Sequence, residues 1–393
     1  MKGRRILLGV TGGIAAYKTA ALASTLVQRG AVVDVVMTAE AERFVGALTF
    51  ASLTGRPVYT SLWDAPEEIP HIRLVREAEV AMVVPATAHA IAKLALGLAD
   101  DLLSTALLAA RIPIVLAPAM NAAMYENPAT QAHLATLRER GYAIVEPEEG
   151  YLAEGEHGVG RLASEERLIA ALERSLAPQT LAGVRVAITA GPTREAFDPV
   201  RFVSNAATGA TGIALAREAA RRGADVTLIL GPTLLAPPAE VRVLRVTSAR
   251  EMRDAALAHA VGADLTIATA AVADWRPAEF AAEKRAKGEA ELDLRFEANP
   301  DILAELGARK GKSFLVGFAA QTHDHEARAR EKLRRKHLDA IVVNDVGGER
   351  GFGIGENALV LLWGERERKD LGKGGKALLA ARLLDALEEL RGR

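Results

Sequence analysis

Cysteine is absent from the 393 residues of this chain. Its absence excludes disulfide bonds, thiolate-ligated zinc, iron–sulfur clusters and any mechanism that needs a cysteine nucleophile. A chain without disulfides is consistent with a reducing compartment, so we expect a cytoplasmic protein.

Long apolar runs are also missing. A membrane-spanning helix needs roughly 18 or more consecutive apolar residues. The longest candidate, residues 102–120, is interrupted by Arg111, Pro113 and Pro118. The apolar start of the chain runs directly into glycines and lacks the small-residue cleavage site of a signal peptide. We therefore expect a first strand at the start and no membrane segment.

Neither sign of charge dominates the composition. Lysine and arginine total 49, and aspartate and glutamate total 50, which leaves a net charge of −1. A balanced chain has no long-range field that would attract a polyanion. We therefore expect neither nucleic acid nor an anionic membrane among its partners.

The chain restarts near its middle. Apolar runs at 4–10 and 32–38 flank a glycine loop and a helical pattern, and runs at 184–190 and 225–230 repeat that plan. Such strand–helix–strand units give parallel strands with a right-handed crossover. The length, with 50% hydrophobic and 25% charged residues, also favours two globular domains. We predict an α/β fold with two doubly wound, Rossmann-like parallel-sheet domains.

The domain boundary is expected near 176–185, which gives domains at 1–183 and 184–393. The tail, residues 373–392, has leucines at helical spacing and predicts a last helix. Further strands are predicted at 79–84, 112–117, 142–145, 242–246, 264–269, 292–296, 313–318, 339–343 and 357–363.

A glycine loop follows the first strand of each half. Thr11, Gly12 and Gly13 precede a predicted helix, whose first N–H groups would attract a phosphate; a tight strand-to-helix turn is the alternative. The loop at 191–193 is the weaker candidate because Pro192 lacks an N–H donor. Neither loop has the G-x-G-x-x-G spacing of dinucleotide-binding folds, which argues against a nicotinamide-dependent reductase.

The position of these loops predicts where ligands bind. Open parallel sheets bind ligands beyond the carboxyl ends of their strands. We therefore expect two clefts, one in each domain. The segments that follow the predicted strand ends are 11–14, 38–44, 85–88, 118–124 and 189–212.

Longer motifs carry a family resemblance over almost the whole chain, in the family's order. The first half contains GVTGGIAAYK at 9–18, HIRL at 71–74, PATA at 85–88 and APAMNAAMYENP at 117–128. The second half contains ITAGPTREAFDPVRFVSN at 188–205, AAVADWRP at 270–277, NPDIL at 299–303, GFAAQT at 317–322 and VVND at 342–345. The first set resembles the homo-oligomeric flavin-containing cysteine decarboxylases. Together, the two sets closely resemble the bifunctional phosphopantothenoylcysteine decarboxylase / phosphopantothenate–cysteine ligase family of coenzyme A biosynthesis.

For the first domain, the resemblance implies an FMN-dependent decarboxylase of 4′-phosphopantothenoylcysteine. The flavin supplies the electron sink that the substrate lacks, and the protein orients the substrate and supplies protons. His71 matches the catalytic histidine, with a surface histidine as the alternative. Asn121 matches the residue that holds the substrate carboxylate, with an Asx turn as the alternative. The positions that match FMN contacts are Thr11, Gly12, Gly13, Thr38, Thr87, Ser104, Thr105 and Met120.

The family carries a cysteine in the flap after this asparagine, where it protonates the decarboxylation intermediate. Alignment on Gly150 and on 158–161 puts Glu154 at that position. An unperturbed glutamate has a pKa of about 4.3, so burial over the flavin would have to raise its pKa for it to keep a proton at pH 7. We predict that Glu154 replaces the thiol; the alternatives are His157, water or a stalled decarboxylase.

For the second domain, the resemblance implies a ligase that joins 4′-phosphopantothenate to cysteine and consumes CTP. The carboxylate forms an acyl-cytidylate, and the amine of cysteine then displaces CMP. Charge builds on the α-phosphate, so a cation and Mg2+ are expected there, with ligands that the sequence leaves unknown. Lys284 matches the lysine of a charged, mobile loop, Asn205 matches an acyl-cytidylate contact, and Asp274 matches an acid that recognises the nucleotide.

The remaining matches are further CTP contacts. Two of them, Lys332 and Lys336, share a helical face, with an exposed basic helix as the alternative. The chain also departs from the family pattern, because SSGKMG is replaced by ATGATG at 207–212 and the basic residue expected two places after Lys284 is Ala286. The other CTP positions are Ala268, Thr269, Ala270, Pro300, Asp301, Ile302, Leu303 and Phe318.

A ligase-only or regulatory flavoprotein with an impaired decarboxylase half is the competing hypothesis. The presence of His71 and Asn121 argues against it, and the missing cysteine argues for it. The resemblance also implies a homo-oligomer, with trimers of the first domain and dimers of the second that together give a dodecamer. In such an assembly the histidine would reach the flavin site from a neighbouring subunit.

Overall fold

The computed structural model describes residues 1–64, 69–153, 155–284, 292–321, 325–345 and 356–392. The chain divides into two compact units, Met1–Pro178 and Gln179–Arg393. Residues 179–183 fall in the second unit because Leu181 packs into its core and donates its backbone N–H to the carbonyl oxygen of Arg222. In the described part of the chain, no helix is long and apolar enough to cross a lipid bilayer.

The first unit is built on a parallel sheet covered by helices. Its sheet strands are β1 Arg5–Val10, β2 Val32–Met37, β3 Val58–Tyr59, β4 Val80–Ala86, β5 Ile114–Pro118 and β6 Ala143–Ile144. Its helices are α1 Ala16–Gln28, α2 Ala39–Glu42, α3 Ala47–Thr54, α4 Pro70–Glu77, α5 Ala88–Leu96, α6 Leu102–Leu108, α7 Ala122–Glu126, α8 Pro128–Glu139 and α9 Glu165–Ser175. A hairpin of β7 Glu148–Tyr151 and β8 His157–Arg161 precedes α9.

The strand order of this sheet is β3-β2-β1-β4-β5-β6, and every pairing among these described strands is parallel. Parallel strands are buried on both faces, which explains their continuous apolar sequences. Leu7 and Leu8 of β1 illustrate this, because they are fully buried in different core clusters on opposite faces of the sheet. The doubly wound fold predicted for this half is confirmed.

The second unit contains a larger, mixed sheet. Its sheet strands are β9 Arg185–Ala190, β12 Asp225–Leu230, β13 Arg242–Arg245, β14 Leu265–Ala268, β17 Phe314–Gln321, β18 Ala340–Asp345, β19 Asn357–Trp363 and β20 Glu367–Gly374. Two short hairpins pair β10 Arg194–Ala196 with β11 Phe202–Ser204, and β15 Trp275–Pro277 with β16 Phe296–Ala298. Its helices are α10 Ala210–Arg221, α11 Ala249–Ala260, α12 Ile302–Arg309, α13 His325–Arg335 and α14 Lys376–Arg391.

The order of this sheet is β13-β12-β9-β14-β17-β18-β19-β20. The pairings from β13 to β18 are parallel, and β19 and β20 add an antiparallel edge. A doubly wound, Rossmann-like sheet is again confirmed, with a meander that the sequence analysis did not predict beyond β19. In that meander β20 has the polar sequence ERKDLGKG, in which Leu371 and Gly374 are the buried residues.

Helices α10 and α14 pack side by side on one face of this sheet and are joined by buried ionic contacts. The Arg222 guanidinium, whose side chain is 8% exposed, lies 2.7 Å from Asp385 and 2.9 Å from Glu388 of α14. It also lies 2.8 Å from Glu218 of α10. Burial alone would lower the pKa of Arg222, but these carboxylates outweigh it and raise the pKa above its usual range. The guanidinium therefore stays charged and holds the two helices together.

Replacement of Leu230 by alanine tests the packing of the second core. Leu230 ends β12 and is 1% exposed, whereas Leu234, four residues later, is 105% exposed. We expect Leu230→Ala to lower the free energy of unfolding by about 2–5 kcal/mol, because a buried leucine leaves a cavity. Urea unfolding followed by tryptophan fluorescence measures the change. Leu234→Ala is the matched control and should change it by less than about 0.5 kcal/mol; equal effects would contradict this core.

Candidate functional site

A cavity of about 770 Å3 opens at the carboxyl edge of the first sheet. Its walls come from the loops that follow β1, β4 and β5, from the start of α6, and from the β7–β8 hairpin. This is the edge at which open parallel sheets bind ligands. The lining residues include 11–15, 87–90, 119–121, 151–153 and 160–162.

Hydrogen bonds from Thr11 join the ends of β1 and β4. The buried Thr11 hydroxyl donates to the carbonyl oxygen of Pro85 at 2.7 Å and accepts from the backbone N–H of Thr87 at 3.2 Å. Thr87 in turn caps α5, where its hydroxyl accepts from the N–H of Ala90 at 3.3 Å. The two loops therefore hold each other in place beside the cavity.

The start of α1 faces this cavity and has the features of an anion site. Helix α1 has no side-chain cap, and the N–H groups of Ala16 and Lys18 bond to the carbonyl oxygens of Gly13 and Ala15. The positive end of its dipole lies at the cavity wall. Gly12 allows a close approach to α2, since a Cβ atom there would lie 2.3 Å from the Cβ of Glu40. Thr38, which caps α2, lines the same wall. The glycine is therefore required by packing as well as by access to a ligand.

The β7–β8 hairpin is fastened to the loop after β5. The N–H of Met120 donates to the carbonyl oxygen of Gly160 at 3.0 Å, and a Cβ on Gly160 would lie 2.1 Å from the oxygen of Met120. Asn121 then caps α7, where its Oδ1 accepts from the N–H of Ala123 at 2.8 Å. Strand β8 is thereby held against the loop after β5, and Tyr151 and Leu152 of the hairpin lie in the cavity wall.

A polar cluster in the cavity wall was missed by the motif analysis. The Lys93 ammonium lies 2.8 Å from both Asp100 and Asp101, and Asp101 accepts from the N–H of Ser104 at 2.7 Å. Burial alone would lower the pKa of Lys93, but the two aspartates raise it above its usual value. The scarcity of lysine, with none between Lys93 and Lys284, is the sequence signal that could have singled it out.

The cavity brings together most of the residues predicted for this half. Thr105 and His71 are not in its wall: the Thr105 hydroxyl donates to the carbonyl oxygen of Asp101 at 2.6 Å, and His71 is partly buried on α4. Glu154 lies outside the described residues. The predicted residues that line the cavity are Thr11, Gly12, Gly13, Thr38, Thr87, Ser104, Met120 and Asn121.

A second cluster lies at the carboxyl edge of β14 and β17 in the other unit. The Lys336 ammonium is 2.7 Å from Asp301, which caps α12, and the Lys332 ammonium donates to the carbonyl oxygen of Phe318 at 3.1 Å. Burial and the charge of Lys336 lower the pKa of Lys332, while Asp301 and Asp274 oppose that change. Burial would raise the pKa of Asp301, but Lys336 and a backbone N–H hold it below its usual value. These predicted residues therefore share one electrostatic environment.

Asn205 anchors the loop after β14. Its Nδ2 donates to the carbonyl oxygens of Ala271 at 3.0 Å and Val272 at 3.1 Å. Its amide therefore fixes the AAVAD segment, which continues from Ala268, Thr269 and Ala270. Pro300 and Leu303 flank the cap of α12 and are partly buried, and Ile302 is buried.

Three loops cross closely at the same edge because glycines occupy the crossing. A Cβ on Gly209 would lie 3.2 Å from the Cα of Gly191, and one on Gly231 would lie 1.9 Å from the carbonyl oxygen of Pro192. Gly191 and Gly209 also have φ values of +81° and +78°, which favour glycine. Helix α10 begins at this crossing without a side-chain cap. The altered loop thus keeps the glycines that the close crossing requires, and its Thr208 hydroxyl accepts from the N–H of Ala210 at 3.4 Å.

The structure describes the predicted loop lysine and the predicted metal site only in part. Lys284 is exposed and is the last residue described before 292, so Ala286 lies outside the described residues. In the part that is described, no group of three or more histidine, aspartate or glutamate side chains is arranged to hold a metal ion.

Two family models match the chain. The model described as "Flavoprotein" matches residues 1–177, and that described as "DNA/pantothenate metabolism flavoprotein C-terminal domain" matches residues 181–390. A solved structure of the C-terminal domain of a coenzyme A biosynthesis bifunctional protein CoaBC is 38% identical, with a TM-score of 0.47, and covers 54% of this chain and 97% of that one.

Two relatives match along nearly their whole length. The coenzyme A biosynthesis bifunctional protein CoaBC of Vibrio vulnificus (strain CMCP6) is 44% identical over 398 residues, which is 100% of this chain and 99% of that protein. The protein of the same name from Bacillus subtilis (strain 168) is 46% identical over 378 residues, covering 94% of this chain and 93% of that protein. The chain therefore belongs to the family of bifunctional coenzyme A biosynthesis proteins, in which a flavoprotein domain precedes a pantothenate-metabolism domain.

Proposed function

We propose that the chain joins 4′-phosphopantothenate to cysteine with CTP, and then decarboxylates the 4′-phosphopantothenoylcysteine product to 4′-phosphopantetheine with FMN. The observation that carries this proposal is the presence of two separate sites in one chain, each at the carboxyl edge of its own sheet. One is an open cavity beside the start of α1, and the other is a cluster of lysines and aspartates beside a glycine crossing. Domain 1–183 would carry the decarboxylase and domain 184–393 the ligase.

The cavity of the first unit fits FMN by its size and by its donors. A volume of about 770 Å3 is within the usual range for cofactor sites. The uncapped start of α1, with Gly12 and Gly13, suits the phosphate, and the hydroxyls of Thr11, Thr38 and Thr87 line the adjoining wall. When bound, the flavin supplies the electron sink for loss of CO2.

Asn121 is proposed to orient the substrate carboxylate. Its Oδ1 accepts from the backbone N–H groups at the start of α7. This arrangement fixes the amide plane and makes Nδ2 the group that would donate to a carboxylate. An amide holds the carboxylate without a full charge, so the bond to CO2 can still break.

Proton delivery is proposed to come from the hairpin and from a neighbouring subunit. Tyr151, Leu152 and Ala153 line the cavity and directly precede Glu154, which supports Glu154 as the acid that replaces the family's thiol. His157 is mostly exposed, and its Nδ1 lies 3.6 Å from Glu149. His71 lies outside the wall of its own cavity, which supports its delivery from another copy in a trimer.

In the second unit, Lys284 is proposed to neutralise charge on the α-phosphate, and Asn205 to contact the acyl-cytidylate. Asp274 and the edge around Phe318, Lys332 and Lys336 would bind the nucleotide. Phosphate oxygens bind Mg2+ strongly, and the described residues offer no preformed metal cage. We therefore propose that Mg2+ enters with CTP.

Exposed apolar side chains on the two short hairpins support dimers of the second unit. Phe202 and Val203 on β11 are 45% and 37% exposed, and Trp275 on β15 is 58% exposed. Phe296 on β16 adds another exposed ring. Such a concentration of apolar surface is typical of protein–protein contacts. Trimers of the first domain and dimers of the second would together give a dodecamer in the cytoplasm.

Gly12→Ala tests the flavin site. A methyl group at position 12 collides with Glu40, so the loop must shift away from the phosphate position. We expect flavin affinity to fall about tenfold or more. Quenching of flavin fluorescence on titration of apoprotein with FMN measures it. Gly46→Ala is the matched control, because nothing lies within 4 Å of its Cβ position, and it should bind FMN normally. Equal affinity in both variants would contradict the site.

Glu154→Gln tests the proton donor. Removal of a general acid is expected to slow decarboxylation about 100-fold or more while ligation continues, so that 4′-phosphopantothenoylcysteine accumulates. Mass spectrometry of the products follows both steps. Glu156→Gln, an exposed change in the same hairpin, should behave like the wild type. Full turnover by the Glu154 variant would exclude Glu154 as the essential acid, and accumulation with the wild type would favour the ligase-only alternative.

Lys284→Met tests the ligase. Loss of a cation that stabilises the α-phosphate should slow pyrophosphate release from CTP, phosphopantothenate and cysteine about 100-fold or more. Flavin absorption should be unchanged. Lys312→Met removes another exposed lysine and should leave the rate unaltered. Absence of pyrophosphate with folded wild-type protein would disprove the proposed ligase activity.

A further inference from the structure

Among the residues that the structure describes, three polar side chains at one corner of the second sheet have buried atoms without hydrogen-bond partners. These atoms are Oδ1 of Asn344, both Oδ1 and Nδ2 of Asn357, and Nζ of Lys376. Asn357 is only 3% exposed. Buried polar groups are normally hydrogen-bonded, because each loses its bonds to water on folding. Such a concentration of unsatisfied groups indicates a place where a polar ligand binds.

The strand register directs the two asparagines toward the same face of the sheet. Asn344 of β18 pairs with Leu359 of β19, so their side chains lie on one side. Asn357 is two residues before Leu359 and therefore shares that side. Leu359 belongs to the core cluster formed with α10 and α14. The asparagines thus point toward those two helices, at the edge where β18 ends and β19 begins.

Both helices begin at this edge. Helix α10 comes after β9 along the chain, and α14 comes after β20. Strand β20 runs parallel to β18, because each of the two strands pairs antiparallel with β19. Arg222 at the far end of α10 lies 2.7 Å from Asp385 of α14. Nine residues before Arg222 is Ile213, and nine before Asp385 is Lys376. The first turns of the two helices therefore lie level, about 8–10 Å apart at the usual separation of packed helices.

The electrostatics of this corner favour an anion. Burial lowers the pKa of the Lys376 ammonium, because the charged form loses its hydration. The start of α14 adds the positive end of a helix dipole. Its N-cap residue, Gly375, provides no side-chain cap and has open space at its Cβ position. At the start of α10, by contrast, the N–H of Ala210 donates to the Thr208 hydroxyl at 3.4 Å. A phosphate would satisfy the ammonium and the start of α14 together.

The glycine loop at the start of α10 lacks a lysine. Residue 210 is an alanine, where the resembling family has the lysine of SSGKMG. Helix α10 begins at that alanine, and its first turn lies level with Lys376. A cation on the neighbouring helix could therefore supply the charge that the loop itself lacks.

We propose that Lys376, together with Asn357 and the first turn of α14, forms a phosphate-binding subsite of the ligase. This inference rests on the proposed ligase function. The phosphate is either part of the triphosphate of CTP or the phosphate of 4′-phosphopantothenate, and the recognition chemistry is the same for both.

Calorimetric titration of the full-length protein in the presence of Mg2+ tests the subsite with paired ligands. CTP is compared with CMP, and 4′-phosphopantothenate with pantothenate. Lys376→Met should weaken binding of one phosphorylated ligand about 10- to 100-fold, as expected for loss of a charge-assisted contact, and leave its partner unaltered. If Lys376→Met loses affinity for CTP but not for CMP, the subsite binds the triphosphate of CTP. If it loses affinity for 4′-phosphopantothenate but not for pantothenate, the subsite binds the phosphate of 4′-phosphopantothenate.

Two further variants separate binding from folding. Lys373→Met is the matched control, because Lys373 pairs with Glu356 at 3.0 Å and its side chain is 61% exposed. Lys376→Arg should retain most of the affinity, since it keeps the charge. Thermal unfolding should show that Lys376→Met is folded, because methionine fits a buried site without needing a counter-charge.

Several results would overturn the inference. Unchanged affinities for all four ligands in Lys376→Met would do so, and so would equal loss for phosphorylated and unphosphorylated ligands, which indicates a structural role. If Lys376→Met fails to fold, Lys376→Gln decides: loss confined to one phosphorylated ligand supports the subsite, and unchanged affinity or equal loss for all ligands overturns it. Failure of the wild type to bind CTP would instead disprove the proposed ligase function.

Discussion

Close approach of backbone segments at the carboxyl edges of the two sheets is the constraint on which the rest of the structure depends. In the first unit, Gly12 lies against Glu40 and Gly160 lies against the carbonyl oxygen of Met120. In the second, Gly231 lies against the carbonyl oxygen of Pro192. At each place a single methyl group would push loops apart. The cavity and the uncapped helix starts exist because these loops meet without side chains between them.

The sheets could be predicted because strands buried on both faces have continuous apolar sequences. Residues 80–86 of β4 are all buried, and the apolar run at 79–84 predicted this strand directly. The strands that escaped prediction are half-exposed or lie in hairpins, where packing and pairing outweigh local sequence preference. Strand β20 is the clearest case, because its alternation is broken by Gly372 and most of its residues are charged or glycine.

The candidate sites could be predicted only where a motif preserved both residue type and position. Asn121 and Asp301 follow that rule, and the structure adds that each also caps a helix. Lys93 belongs to no recognised motif, and its place in the cavity wall depends on how α5 packs beside α6. In the proposed trimer, the surroundings of His71 would be equally beyond a single sequence, because they would depend on a second copy of the chain.

The buried ionic contacts of Arg222 have a consequence for the entropy of ligand binding. Glu218, Asp385 and Glu388 neutralise the Arg222 guanidinium in the folded unit. Separating α10 from α14 would leave that charge without its partners on α14. The two helices are therefore fixed at their far ends before any ligand arrives. Their opposite ends consequently present N–H groups at a set spacing, so a bound anion need not order the helices themselves. Part of the proposed phosphate subsite would thus be preorganised by a contact at the other end of the helices.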